Sequence, residues 1–441
     1  MRTPNYDMSV FKKRREQLAE LCKNQYPGAA FVLPSHPEQV RNNDVHHDFR
    51  QDSSFFYITG FEEPETVCVF RPGMNPEYVL FVRPKDMLRE TWDGFRYGPA
   101  LTQKYFGTDK IYTLDQMDQE LPKLLAEAEC VFYRLYHDHE FDQKFQKYLQ
   151  AVRVAQGRSG RGLLSVHDSS TLIGELRLIK GEQEHAWLAE ACEISALGHV
   201  EAMKMARPGI NERELQAIIE FEFKKRGSPR NGYNNIIAGG ANACTLHYVF
   251  NDQTIKDGDL VLIDAGAEKN YYTGDITRTF PVNGKFTKTQ KIFYEKVLNV
   301  QKEVLKMIRP GVLFSKLQDT TIEMLTESML ELSLLKGSVK DNIDSLAYKK
   351  YYPHGVSHWL GLDVHDAGLY KIKGESRALV KGMCFTVEPG LYVPVDDISA
   401  PSELRGLGVR IEDNIFVTDL SYDNMTIKAP KEVEEIEALM N

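Results

Sequence analysis

The chain has 441 residues, 42% of them hydrophobic and 27% charged, with a formal net charge of −9. That length exceeds one ordinary hydrophobic core, so two domains are expected. The acidic balance excludes a surface built for nucleic acid or an anionic membrane, since both need clustered Lys and Arg.

The opening run "MRTPNYDMSVFKKRREQLAE" is charged and lacks the apolar stretch of a secretory signal. No apolar run approaches the ~18 residues that a membrane helix needs. The six cysteines are scattered without a C-x-x-C pair, which implies free thiols in a reducing cytoplasmic compartment.

Residues 8–24 carry Phe11, Leu18, Leu21 and Cys22 at helical spacing and predict an amphipathic helix. Short β-rich runs follow: "GAAFVLP", "SFFYITGF", "TVCVFRP" and "EYVLFVRP". Helices are expected around 114–129 and 138–152, so the first unit reads as a small α/β domain over residues 1–172. In it, His46 and His47 suggest a metal pair by composition alone, and a surface or domain-contact role is expected for them. His137 and His139 read as solvated, and Trp92 suits a core or a contact surface equally.

The second domain is expected over residues 173–441. It begins with a long helix in "EQEHAWLAEACEISALGHVEAMKMA", closed by Arg207-Pro208-Gly209. A further helix opens at Asn211 with Glu214 three residues on, a capping-box variant, and stops at Gly227. "RPGINERELQAII" (207–219) matches "RPGVLFSKLQDTT" (309–321), and "KDGDLVLIDAG" (256–266) matches "VKGMCFTVEPG" (380–390). Two matches in the same order point to an internal duplication, with Asp264 and Glu388 at equivalent positions.

The acids fall in pairs. In "DLVLIDAGAEKNYYTGDITRTFPV" a turn centred between Lys269 and Asn270 sets Asp264 directly opposite Asp275. Facing like charges destabilise a sheet, so a cation is expected between them. In the second half, Glu388 ends the strand of "CFTVEPGLYV", and "GVRIEDNIFVT" puts Arg410 and Glu412 on one face with Asp413 on the other. Four carboxylates converging in an apolar interior need counter-ions, and two divalent metals with one imidazole bring the charge near zero.

"HGVSHWLGLDVHD" (354–366) holds three histidines in thirteen positions. His354 and His358 have zinc-helix spacing, but Gly355 stands where that motif needs Glu. The segment reads as a loop and then a strand, with one histidine a ligand and the others donors to a reacting group. His247 in "CTLHYVFND" joins this set.

Together "HGVSHWLGLDVHD", "LIDAGAEKNYYTGDITRTF", "TVEPGLYV" and "GVRIEDN" resemble the pita-bread metallopeptidases, closest to aminopeptidase P. "RNNDVHHDFRQDSSFFYITGF" is similar to that family's N-terminal domain, so the resemblance spans the chain. It implies an α/β (α+β) architecture: an N-terminal domain for oligomerisation or access, and a pita-bread catalytic domain with pseudo-two-fold symmetry.

The resemblance also implies a dinuclear site, most often manganese, with zinc, cobalt or iron as alternatives. Its ligands by position are Asp264, Asp275, His358, Glu388 and Glu412, with Asp275 and Glu412 bridging. His247 and His365 would contact the substrate carbonyl, and His354 would line a proline pocket. Arg410 would fix a bridging carboxylate, with Tyr392 as a further outer partner. The implied reaction is removal of the first residue from peptides with proline at position two, by a hydroxide bridging the metals, with Glu388 moving the proton. A cytoplasmic homodimer or homotetramer is expected, with neither nucleic acid nor membrane as partner. Alternatives are prolidase, acting on Xaa-Pro dipeptides, and a metal-free pita-bread binding module. The N-terminal domain disfavours methionine aminopeptidase.

Overall fold

The structure is a computed structural model that describes residues 3–159 and 165–441. The chain divides into two units, Met1–Arg177 and Leu178–Asn441. Among the described residues no helix is long and apolar enough to cross a membrane.

The first unit is built on a six-stranded sheet. Its spatial order is Lys110–Thr113, Tyr78–Val82, Val67–Phe70, Ala29–Pro34, Cys130–Phe132 and Ser165–His167. Ala29–Pro34 runs antiparallel to Val67–Phe70 and parallel to Cys130–Phe132. The central strands are buried along their length, which is why they read as unbroken apolar runs rather than alternating ones. Val32, Val69 and Phe81 pack with Leu121 and Phe145 from the helices Met117–Ala126 and His139–Gln156.

"SFFYITGF" departs from expectation: it is the helix Ser53–Thr59, not a strand. Asp52 Oδ1 accepts the Phe55 N–H at 2.7 Å, and Gly60 closes the helix with φ of 65°. These caps, with burial of Phe55, Phe56 and Ile58, override the β preference of the aromatic residues.

The second unit contains two similar halves. The helices Glu182–Met205 and Glu212–Lys225 precede a sheet of Ile236–Gly239, Leu260–Asp264 and Thr277–Pro281. The helices Lys288–Met307 and Phe314–Glu331 precede a sheet of Cys384–Val387, Asp413–Val417 and Tyr422–Asn424. The Arg-Pro-Gly turn joins each helix pair, and its glycines, Gly209 and Gly311, share φ near +90° (86° and 89°). Asn211 caps its helix as the sequence suggests, with the reciprocal Glu214 contact. One core spans both halves and includes Ile237, Phe280, Val387 and Ile415.

The register of the first hairpin differs from the expected one. Lys269 pairs with Tyr272 and Asp264 with Thr277, so the turn centres between Asn270 and Tyr271. Both turn residues have positive φ, 53° and 68°, the geometry that matches the twist of a two-residue hairpin. Asp275 therefore stands diagonal to Asp264 rather than opposite it. The ladder is pinched here: a Cβ on Gly266 would lie 1.8 Å from the Gly274 carbonyl oxygen, so no other residue fits.

In the second half one register runs from Cys384↔Phe416 through Val387↔Asp413 to Gly390↔Arg410. It sets Glu388 across from Glu412, at a break in both strands. Behind them the buried pair Arg278–Asp413 closes at 2.6 Å, and Arg278 Nη1 also donates to the Glu412 carbonyl.

"HWLGLDVHD" forms an irregular loop with one bridge, Trp359↔Phe385, and not the expected strand. A buried ion pair, Lys180 Nζ to Asp366 Oδ2 at 2.9 Å, holds it. Gly361 is required there, because a Cβ would meet Asp366 Oδ2 at 2.2 Å. Its carbonyl accepts the Thr273 N–H at 3.0 Å, tying this loop to the first hairpin.

Two outcomes follow for stability. Lys180→Met strands Asp366 in an apolar interior and should cost about 3–5 kcal/mol in urea unfolding; Lys180→Met/Asp366→Leu should recover much of that loss. Burial lowers the His199 pKa from 6.5 to about 4, while its Nε2–H donates to the Ala265 carbonyl. The folded state thus holds the neutral ring while the unfolded chain takes up a proton below pH 6.5. His199 should therefore contribute a fall of about 1.4 kcal/mol per pH unit between those values, a contribution that His199→Asn should remove.

Candidate metal centre

The breaks in the two ladders turn acidic side chains into one cavity of about 550 Å³. Its lining includes Asp264, Asp275, His358, Glu388, Glu412, His247, His354, His365 and Arg410, and Tyr392 stands behind His354 and Arg410 rather than in the lining. Asp275 and Glu412 are buried, and one ligand atom from each of Asp275, His358 and Glu412 lies within 4.8 Å of the others.

His358 is aimed by its backbone surroundings. Its Nδ1–H donates to the Trp359 carbonyl at 3.1 Å. That turns Nε2 toward the acids, 3.3 Å from Asp275 Oδ2 and 3.4 Å from Glu388 Oε1. Such a carbonyl partner on the far nitrogen is the usual way a ligating imidazole is oriented.

Each acid has a dedicated neighbour. Asp264 accepts from Tyr233 Oη and Arg410 Nη2, both at 2.6 Å. Glu412 accepts from Thr277 Oγ1 at 2.6 Å, and Thr277 in turn accepts from Arg410 Nε at 3.0 Å. Arg410 therefore pairs with Asp264 and reaches Glu412 only through Thr277. Thr386 Oγ1 donates to Glu388 Oε1 at 3.3 Å. Asn414 grips the backbone of Asp275 on both sides, accepting its N–H at 2.8 Å and donating to its carbonyl.

Tyr233, Thr277, Thr386 and Asn414 were not visible as site residues in the sequence. Hydroxyls and amides that serve a neighbour's side chain carry no spacing signature. Only Tyr233, an aromatic residue set in the polar loop "RNGYNN", stands out in retrospect.

The electrostatics match a cation-binding cluster. Burial raises the pKa of Asp264, lifts Glu388 to about 7 and drives Glu412 well above the ordinary carboxylate range. Burial opposes charge on His358 as well, yet the hydrogen bond to Asp275 and the charge of Glu388 raise its pKa to about 9. Asp275 is shifted down against its burial by the same contact. Acids and ring together draw positive charge into the space between them. Arg410 alone cannot neutralise four carboxylates, and hard oxygen donors with one imidazole suit a first-row divalent ion.

The remaining histidines differ. His354 is partly buried, and desolvation with the Arg410 charge lowers its pKa to about 4. Its Nδ1–H donates to the Gly355 carbonyl at 2.8 Å, so Nε2 accepts from Tyr392 Oη at 2.9 Å, and Tyr392 accepts from Arg410 Nη1 at 3.1 Å. His247 and His365 are exposed at the cavity, with the His365 ring edge-on to His358 at 4.4 Å.

The profile of metallopeptidase family M24 matches residues 186–419, and that of the aminopeptidase P N-terminal domain matches residues 11–133. The chain is 39% identical to Xaa-Pro aminopeptidase of Escherichia coli, covering 98% of this chain and 97% of that protein. It is 36% identical to human Xaa-Pro aminopeptidase 3, covering 99% of this chain and 87% of the relative. Among solved structures, Pseudomonas aeruginosa aminopeptidase PepP superposes with a TM-score of 0.94 at 40% identity over 99% of both chains. Zn-substituted Escherichia coli aminopeptidase P in complex with product gives 0.93 at 38% identity, over 99% of this chain and 98% of that one. The two-unit fold, the carboxylate cluster and these full-length similarities lead to one conclusion: the chain belongs to the aminopeptidase P group of metallopeptidase family M24, with the pita-bread fold.

Proposed function

We propose that this chain hydrolyses the bond between a peptide's first residue and a proline at position two, with Asp264, Asp275, His358, Glu388 and Glu412 holding two Mn²⁺ ions. The observation that carries this reading is the single cavity shared by those donors and the three other histidines. Divalent ions bound there supply a Lewis acid for the scissile carbonyl and make water acidic enough to attack near neutral pH.

The protein's own groups do the rest. His247 and His365 donate to the carbonyl oxygen as negative charge develops on it, where preorganised donors act most strongly. Glu388 takes a proton from the attacking water and delivers it to the proline nitrogen. Arg410 and Tyr233 fix the Asp264 carboxylate from two sides. His354, held by Tyr392, forms one wall for the proline ring, and Ile236, Leu246 and Val249 add apolar surface to the cavity. A tertiary Xaa-Pro amide has no N–H for strand-like docking, so a site that works on the carbonyl suits it.

The six free cysteines support a reducing, cytoplasmic setting. Self-association is the proposed role of the helix Met87–Asp93. Trp92 on it is 86% exposed, not buried in a core, and Met87 and Leu88 beside it are 73% and 82% exposed.

After chelation and return of Mn²⁺, the full chain should release arginine from Arg-Pro-Pro, and Glu388→Ala should lower the rate by about 10²–10⁴-fold. Cleavage of Ala-Pro alone would assign the chain as a prolidase. No cleavage together with no bound metal would leave a binding module. Trp92→Glu should shift the mass measured by light scattering toward the monomer, whereas an unchanged mass would remove this helix from the contact.

A further inference from the structure

The first unit holds a second cluster of ligand-type side chains, distinct from the M24 cavity. His36 follows the strand Ala29–Pro34, Asp52 caps the helix Ser53–Thr59, and His137 precedes the helix His139–Gln156. Folding brings together three residues that lie far apart in sequence. His36 Nε2 and His137 Nε2 are 3.3 Å apart, and Asp52 Oδ2 lies 3.7 Å from the first and 3.4 Å from the second.

Those distances have a specific meaning. Ligands at ~2.0–2.1 Å from a tetrahedral zinc stand about 3.3–3.4 Å from one another. The three atoms thus approximate one face of such a tetrahedron. We propose that His36, Asp52 and His137 bind a single divalent cation of the zinc type, with the fourth position open to the adjoining cavity.

The surroundings fit that role. His36 Nδ1–H donates to the Arg50 carbonyl at 3.3 Å, which leaves Nε2 as the ring's lone-pair donor. Asp52 splits its duties: Oδ1 accepts the Phe55 N–H at 2.7 Å, and Oδ2 faces the two imidazoles. The side chains are 40%, 15% and 34% exposed in the order His36, Asp52, His137, so an ion has a route in. His36 and His137 line a cavity of about 470 Å³, which gives space for a water or a further ligand. Two imidazoles and one carboxylate select zinc, cobalt, nickel or copper over magnesium or calcium. His46 and His47, the pair suggested by composition, are not part of this cluster.

The rival arrangement is a proton shared between the two imidazoles, and metal counting separates the two. The full-length protein is stripped of metal, equilibrated with Zn²⁺ and freed of excess. Wild type should carry one more equivalent of zinc than His36→Gln/His137→Gln, whatever the M24 cavity binds, because that contribution cancels in the difference. His137→Gln alone provides the same comparison if the double variant misfolds, and His46→Gln/His47→Gln should keep the wild-type content. With Co²⁺ in place of zinc, the wild-type-minus-variant spectrum should show the strong visible bands of tetrahedral cobalt. Equal zinc content in wild type, His36→Gln/His137→Gln and His137→Gln would overturn the proposal.

Discussion

Four carboxylates share one cavity, and their mutual repulsion is the constraint that organises the second unit. Asp275, Glu388 and Glu412 stand at breaks in the β-ladders, and Asp264 is the last residue of its strand, still paired with Ile236 and Thr277. Three of them are steadied by a neutral or cationic donor, Tyr233 and Arg410 for Asp264, Thr277 for Glu412 and Thr386 for Glu388, and Asp275 faces His358. Arg278 and Asp413 pair in full burial behind the cluster, and Lys180 with Asp366 pins the histidine loop in front of it. Both pairs are more than charge compensation, since each also fixes the backbone that carries a site residue.

The two halves of this unit repeat their helix pairs and strands but not their acid geometry. Glu388 and Glu412 lie across from one another in register, while Asp264 and Asp275 are diagonal. The first pair flanks the two-residue hairpin at Asn270–Tyr271, which has no counterpart in the second half, whereas the tight glycine at 266 does have one in Gly390. A duplicated frame has thus produced an asymmetric cluster, one that can treat the two ends of a peptide bond differently.

Much of this was legible in the sequence because residue type and strand period carry it. Acids inside apolar runs, Gly two residues beyond them and the repeated Arg-Pro-Gly identify the cluster and the duplication. Register was not legible: the true turn has Tyr271 at positive φ, a position where glycine is the expected signal. "SFFYITGF" misled because its caps, Asp52 and Gly60, outweigh the β preference of the aromatic residues between them. The Asp52 cluster with His36 and His137 could not be read at all, since its members are joined only by tertiary folding and no spacing rule connects them.

The six cysteines stay unpaired, and one of them has a vantage point within the fold. Cys192 Sγ donates to Asn414 Oδ1 at 3.2 Å, and Asn414 in turn clasps the backbone of Asp275. The thiol has no exposed surface, and burial raises its pKa well above the usual value. It is therefore inert while the catalytic unit is closed and becomes alkylatable only when the chain opens around it. Its alkylation rate, followed at that one site among the six free thiols, reports opening of the chain directly behind the acid cluster.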